Sequence, residues 1–104
     1  MVEWYGVRCV FGWSARNTYE ERVTLWQADS AEAAILLAEQ EAVEYADDLG
    51  FEYLGLAQSF KIFDVEIGQG VEVFSLFRDS DLEPDAYLTA FFDTGSEREQ
   101  KLDQ

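Results

Sequence analysis

The most constraining feature of the sequence is a stretch of helical periodicity between Asp29 and Gly50. Apolar residues recur there at steps of three and four, which places them along one side of an amphipathic α-helix. Ser30 and Gly50 suit the two ends, because serine caps a first turn and glycine adopts the left-handed conformation that stops a helix. We therefore expect one long helix that packs on a sheet through the following stripe: Ala31, Ile35, Ala38, Ala42, Tyr45 and Leu49.

Two alternating segments before this helix predict a β-hairpin. Residues 3–13 and 19–28 both place apolar side chains at every second position, as strands with one buried face do. We expect Trp13 to lie opposite Tyr19 and Gly6 opposite Trp26, which directs Trp26 away from the helix and close to Arg8. The side chains predicted to point inward are Tyr5, Val7, Cys9, Phe11, Trp13, Tyr19, Val23 and Leu25.

A second hairpin is predicted from residues 59–67 and 71–78, joined by a loop in which Gly70 is left-handed. The preceding segment, 51–58, has no clear pattern. Pro84 suits the first turn of a short C-terminal helix. The order ββαββα predicts an α+β fold, with a four-stranded antiparallel sheet in the order 2-1-3-4 and the long helix on one face. We expect a single domain over residues 1–95 and a flexible polar tail over 96–104.

Four short motifs resemble a bacterial family catalogued as domain of unknown function 4288. The motifs are W-Y-x-V-R at 4–8, Y-E-E-R at 19–22, A-x-S-x-x-x-A at 28–34 and G-x-E-V-F-S at 70–75. The resemblance covers roughly residues 4–78. It implies a small single-domain bacterial protein, and it offers no activity, cofactor or catalytic residue to carry over.

The charge balance and the missing residue types narrow the function. Against 22 acidic residues the chain has seven Lys and Arg, a formal charge of −15, so direct binding to nucleic acid or to anionic membranes is not expected. The chain has no histidine, and it has no nucleophile, phosphate-binding or dinucleotide-binding motif. We expect a cytoplasmic protein that is not an enzyme and needs no cofactor, with Cys9 buried as a small apolar side chain.

Three carboxylates share one face of the predicted second hairpin, and they raise the question of a metal ion. Asp64, Glu66 and Glu72 would repel one another unless a cation lay between them. Lys61 or Arg78 as neighbours is the simpler explanation, because three carboxylates without a calcium-binding loop are a weak signal. We therefore predict no metal site.

The second half of the long helix is unusually acidic. No Lys or Arg occurs between Val23 and Phe60. Acidic side chains near a helix C-terminus interact unfavourably with the negative end of the helix dipole. One explanation is a solvated face in an organism with acidic proteins. The other is a docking surface for a basic protein partner, formed by Glu41, Glu44, Asp47 and Asp48.

Aromatic and cationic residues on the opposite sheet face form a second candidate surface. We expect Trp4, Arg8, Trp26 and Phe74 to lie in an interface, because tryptophan and arginine are favoured at such sites. Two functions follow. The chain is either a non-catalytic binding module of adaptor, immunity or inhibitor type that docks a basic partner through its acidic helix, or a structural or regulatory homodimer that associates through the aromatic sheet face.

Overall fold

The computed structural model describes residues 2–62 and 66–97. Strands β1 (Glu3–Trp13), β2 (Thr18–Ala28) and β3 (Glu52–Ile62) form an antiparallel sheet in the order β2-β1-β3. Helix α1 (Ala31–Leu49) packs on one face of the sheet. Helix α2 (Pro84–Tyr87) continues into a π-helical turn at Leu88–Phe92. The predicted α+β class, antiparallel sheet, long helix and short C-terminal helix are confirmed.

The ends of α1 follow from the residues predicted to cap it. The Ser30 hydroxyl accepts a hydrogen bond from the Ala33 backbone N–H at 3.1 Å, which satisfies a first-turn donor that has no partner inside the helix. Gly50 closes the helix in the left-handed region, with φ 73°, where a side chain would be strained.

The core is a seam between a row of alanines on α1 and the large side chains of β1. Four alanines at steps of four are buried on the helix, and four consecutive inward residues of β1 are buried opposite them. Leu49, predicted to close the stripe, is instead 51% exposed. The buried set is Tyr5, Val7, Cys9 and Phe11 with Ala34, Ala38, Ala42 and Ala46.

The predicted register of the first hairpin is wrong by one residue. Trp13 pairs with Thr18 and Tyr5 pairs with Trp26, because Asn17 adopts a left-handed conformation at φ 51° and β2 begins directly after it. A shift of one residue moves every side chain of a strand to the other face. Thus Glu20, Arg22, Thr24 and Trp26 lie on the helix face, whereas Tyr19, Val23 and Leu25 lie on the outer face.

The predicted second hairpin is absent from the described residues. Its first strand survives only as residues 59–62 of β3, and residues 71–78 form no strand. The turn itself is present, since Gly70 is left-handed and the Val71 N–H donates to the Gly68 carbonyl at 3.3 Å. Residues 63–65, and residues 98–104 of the predicted tail, lie outside the described part, so the proposed trio that includes Asp64 is only partly described.

Strand β3 instead begins at Glu52, within the segment that had no clear pattern. Its pairing with β1 shifts between Cys9 and Phe11, near Gly55, which has φ 82°. Such a bulge breaks the alternation by which strands are recognised in a sequence. This explains why the sequence pattern of residues 51–58 does not predict a strand.

Residues 71–74 cross the outer face of the sheet. A Cβ added at Gly6 would lie 2.7 Å from the Val73 carbonyl oxygen, so only glycine admits the crossing chain. The Phe74 ring packs edge-on against Phe60, with ring centroids 4.6 Å apart, and lies 5.4 Å from the Arg8 guanidinium carbon. The hollow above Gly6 is therefore filled by this segment and not, as predicted, by Trp26.

We expect Gly6→Ala to destabilise the protein by about 1–3 kcal/mol, as overpacking does, because the new methyl group displaces the Val73 carbonyl. Gly68→Ala is the matched control, since nothing lies within 4 Å of its Cβ position. Urea denaturation of both variants measures the difference. Equal stability of the two variants would show that residues 71–74 do not rest on Gly6.

Candidate interaction site

Three carboxylates lie exposed at the C-terminal end of α1. Glu44, Asp47 and Asp48 are all exposed, and the last turn of the helix contains no basic residue. Glu44 and Asp48 are four residues apart, so they lie on the same side of the helix as a like-charge pair. We call these three residues the acidic helix end. They are exposed in the structure, as a solvated face or a docking surface requires.

Glu41, predicted to belong to the same surface, has a partner inside the protein. The Arg22 guanidinium donates to both carboxylate oxygens of Glu41, Nη1 to Oε1 at 2.7 Å and Nη2 to Oε2 at 2.9 Å. The Arg22 guanidinium carbon also lies 3.7 Å from the centroid of the Tyr45 ring. Glu41 is thus half-buried in a bidentate ion pair that joins α1 to β2.

This ion pair shifts both groups toward their charged forms. The hydrogen bonds from Arg22 lower the pKa of Glu41 below its ordinary value, and the same bonds raise the pKa of Arg22. The sequence reasoning missed the pair because the slipped register placed Arg22 on the outer face. Asparagine favours the left-handed conformation in turns. Placing Asn17 at the end of a loop one residue shorter would have put Arg22 on the helix face, next to Glu41.

Two tyrosines engage further carboxylates along the edges of α1. The Tyr45 hydroxyl donates to Glu20 at 2.8 Å, and the Tyr53 hydroxyl donates to Glu39. Burial raises the pKa of both tyrosines, and these acceptors raise it further because they stabilise the protonated hydroxyl. Carboxylates beside the sheet are therefore held by side-chain partners, in contrast to the acidic helix end.

The four residues predicted for the aromatic interface do not lie together. Trp26 is on the helix face, where its indole Nε1 donates to the Thr24 hydroxyl at 2.6 Å and its ring packs on the core. Trp4 and Arg8 lie on the outer face. Arg8 donates to Gln58 at 2.7 Å and stacks on Phe74. The expected position of Trp26 over Gly6 is wrong, whereas the contact of Arg8 with Phe74 brings two of the four together.

Cys9 and the metal-binding side chains were the remaining candidates for chemistry in the sequence. Cys9 is buried, as predicted, and burial raises the pKa of its thiol, which disfavours the reactive thiolate. Within residues 2–62 and 66–97, no group of three metal-binding side chains lies close together. None of the helices in this part of the chain has the length and apolar character to cross a membrane.

The chain matches no protein-family model, no curated protein and no solved structure. The resemblance to the bacterial family of unknown function stays a prediction, carried by its four short motifs.

We expect Glu41→Gln to lower stability at neutral pH by about 1 kcal/mol, the scale of a well-formed partly exposed ion pair. The folded pKa of Glu41 is depressed, so its contribution is present above the unfolded value of about 4.3 and is lost as pH falls through the folded value. The parent and variant should therefore converge in acid. Denaturant melts from pH 7 to pH 3 measure this convergence.

Glu44→Gln is the matched control, because the same atom replacement occurs on the same helix at an exposed site. It should leave stability unchanged or raise it slightly at neutral pH, since it removes half of a like-charge pair. A loss as large as that of Glu41→Gln would contradict the distinction between the two carboxylates.

Proposed function

We propose that this protein is a non-catalytic protein-binding module that docks a basic partner on the acidic helix end. The observation that carries the proposal is the exposure of Glu44, Asp47 and Asp48 at a helix C-terminus without a basic residue in the last turn. Glu41 leaves the predicted docking set, because Arg22 occupies both of its oxygens.

The energetics of a helix end support this choice of site. A carboxylate at a helix C-terminus faces the negative end of the dipole. When it is exposed, this unfavourable interaction lowers the stability of the helix by about 0.3–1 kcal/mol. A lysine or arginine from a partner would interact favourably both with the carboxylates and with the helix end. Binding would therefore relieve a repulsion that the last turn of α1, which has no basic residue, does not relieve.

The charge of the whole chain supports a basic protein as the partner. A formal charge of −15 repels nucleic acid and anionic lipid, whereas it accelerates encounters with a cationic surface. An adaptor, immunity protein or inhibitor with a basic partner is the kind of module we propose. We place the protein in the bacterial cytoplasm, where a free Cys9 remains reduced.

A lysine-rich decapeptide should bind the parent protein at low salt. We expect the triple variant Glu44→Gln, Asp47→Asn, Asp48→Asn to bind it roughly tenfold more weakly, as the loss of three exposed ion pairs of about 0.5 kcal/mol each implies. Isothermal titration calorimetry at two salt concentrations measures the affinity. Backbone amide shifts of the parent should change most around residues 44–50.

The control is Asp79→Asn, Asp81→Asn, Asp85→Asn, which removes the same three charges from exposed sites elsewhere. It should weaken binding no more than about twofold, since only the general field changes. Equal losses in the two triple variants would favour the other explanation of the acidity, a solvated surface without a docking site.

A further inference from the structure

An open cleft lies where the turn between β1 and β2 meets the residue that follows the C-cap of α1. Its volume is about 830 Å³, within the range of roughly 300–1,000 Å³ that small-molecule sites occupy in proteins. We call it the Trp13 cleft. The aromatic and charged side chains of its lining are Trp13, Arg16, Tyr19, Glu20, Phe51 and Glu97.

Three of these side chains are aromatic. The rings of Trp13 and Phe51 contact each other, with centroids 5.2 Å apart and an angle of 36° between their planes. Both residues are half-buried, so the fold fixes their positions at the cleft. Tyr19, which also lines the cleft, is 72% exposed. Aromatic side chains in this arrangement favour a planar ring as ligand, because ring pairs gain more than the burial of their area alone.

A positive charge lies beside these rings. The Arg16 guanidinium carbon is 4.8 Å from the centroid of the Trp13 ring, which is the distance of a cation–π contact. Within residues 2–62 and 66–97, the Arg16 guanidinium forms no ion pair and donates no hydrogen bond. The cations of the three strands, in contrast, have carboxylates at 3.6, 2.7 and 2.8 Å: Arg8, Arg22 and Lys61. Trp13 therefore positions a guanidinium whose donors are available to a ligand.

The two carboxylates of the cleft already accept hydrogen bonds from other side chains. Both oxygens of Glu20 accept from the Tyr45 hydroxyl, at 2.8 and 3.0 Å. The Glu97 carboxylate accepts from the backbone N–H of Thr94 at 2.8 Å and from its hydroxyl. Neither carboxylate pairs with Arg16. An acceptor for Arg16 is thus the missing group, and a ligand carboxylate has the charge and the two oxygens that match a guanidinium.

We propose that the Trp13 cleft binds a small planar aromatic carboxylate, with its ring on Trp13, Phe51 and Tyr19 and its carboxylate on Arg16. The formal charge of −15 opposes the approach of anions, so the ligand is a monovalent acid rather than a nucleotide or another polyanion. None of the carboxylates of the acidic helix end lines the cleft. The site is therefore separate from the surface proposed for a basic partner.

Two probes with the same ring and opposite charges test the proposal on the unmodified protein: indole-3-propionate and tryptamine. We expect indole-3-propionate to give saturable shifts of the Trp13 indole N–H and of the backbone amides of residues 13–20 and 51, measured by ¹⁵N NMR. It should bind roughly tenfold more tightly than tryptamine, the scale of one charge-assisted hydrogen bond. Equal or tighter binding of tryptamine at these residues, or no saturation by indole-3-propionate at about 10 mM, would overturn the proposal.

Arg16→Gln should weaken the binding of indole-3-propionate roughly tenfold, because the amide keeps a donor and loses the charge. Arg78→Gln is the matched control, since Arg78 is also exposed and also stacks on an aromatic ring, with its guanidinium carbon 4.5 Å from the Phe91 centroid. It lies outside the cleft, so affinity should not change. Equal losses in the two variants would show general attraction to cations and would contradict a site at Arg16. The lysine-rich decapeptide tests another surface, so its failure to bind would not alter these outcomes.

Discussion

The close approach of α1 to β1 is the contact on which the rest of the structure depends. Buried alanines at every fourth position, from Ala34 to Ala46, give the helix a face without bulk, and β1 supplies the volume, above all through Phe11 and Val7, which are fully enclosed. Small residues on one side and large residues on the other fill the space between a helix and a sheet without voids. Because the helix lies low on the sheet, side chains along both of its edges reach the neighbouring strands.

Because of these edge contacts, some carboxylates near α1 have a side-chain partner in the fold and others are exposed. Arg22 holds Glu41, Tyr45 holds Glu20 and Tyr53 holds Glu39, so each strand that flanks β1 is tied to α1 by a hydrogen bond to a carboxylate. The carboxylates of the acidic helix end lie in the same turns of the helix as Tyr45 but are exposed. The effect of a carboxylate on stability therefore depends on its position. Beside the sheet it stabilises the fold through a hydrogen-bonded partner, whereas at the helix C-terminus it is repelled by the helix dipole and by neighbouring carboxylates.

Local signals in the sequence predict the local structure well and the pairing of strands poorly. Ser30, Gly50 and Pro84 determine helix ends by short-range chemistry, and each acts as predicted. The register of the first hairpin depends on a single backbone conformation, that of Asn17, and both registers give an alternating apolar pattern. An error of one residue exchanges the faces of β2, which is why Arg22 and Trp26 were both misplaced. The crossing of residues 71–74 depends on a distant contact with Gly6, which no local pattern encodes.

The register of β2 determines what each face of the sheet presents. On the helix face, Glu20 and Arg22 are bonded to side chains of α1, whereas on the outer face the same strand exposes Tyr19, Val23 and Leu25, with Glu21 between the first two. A change of register by one residue would exchange these two sets and would separate Arg22 from Glu41. Because that ion pair occupies Glu41, the left-handed conformation of Asn17 determines both how β2 is joined to α1 and which carboxylates of α1 remain for a partner.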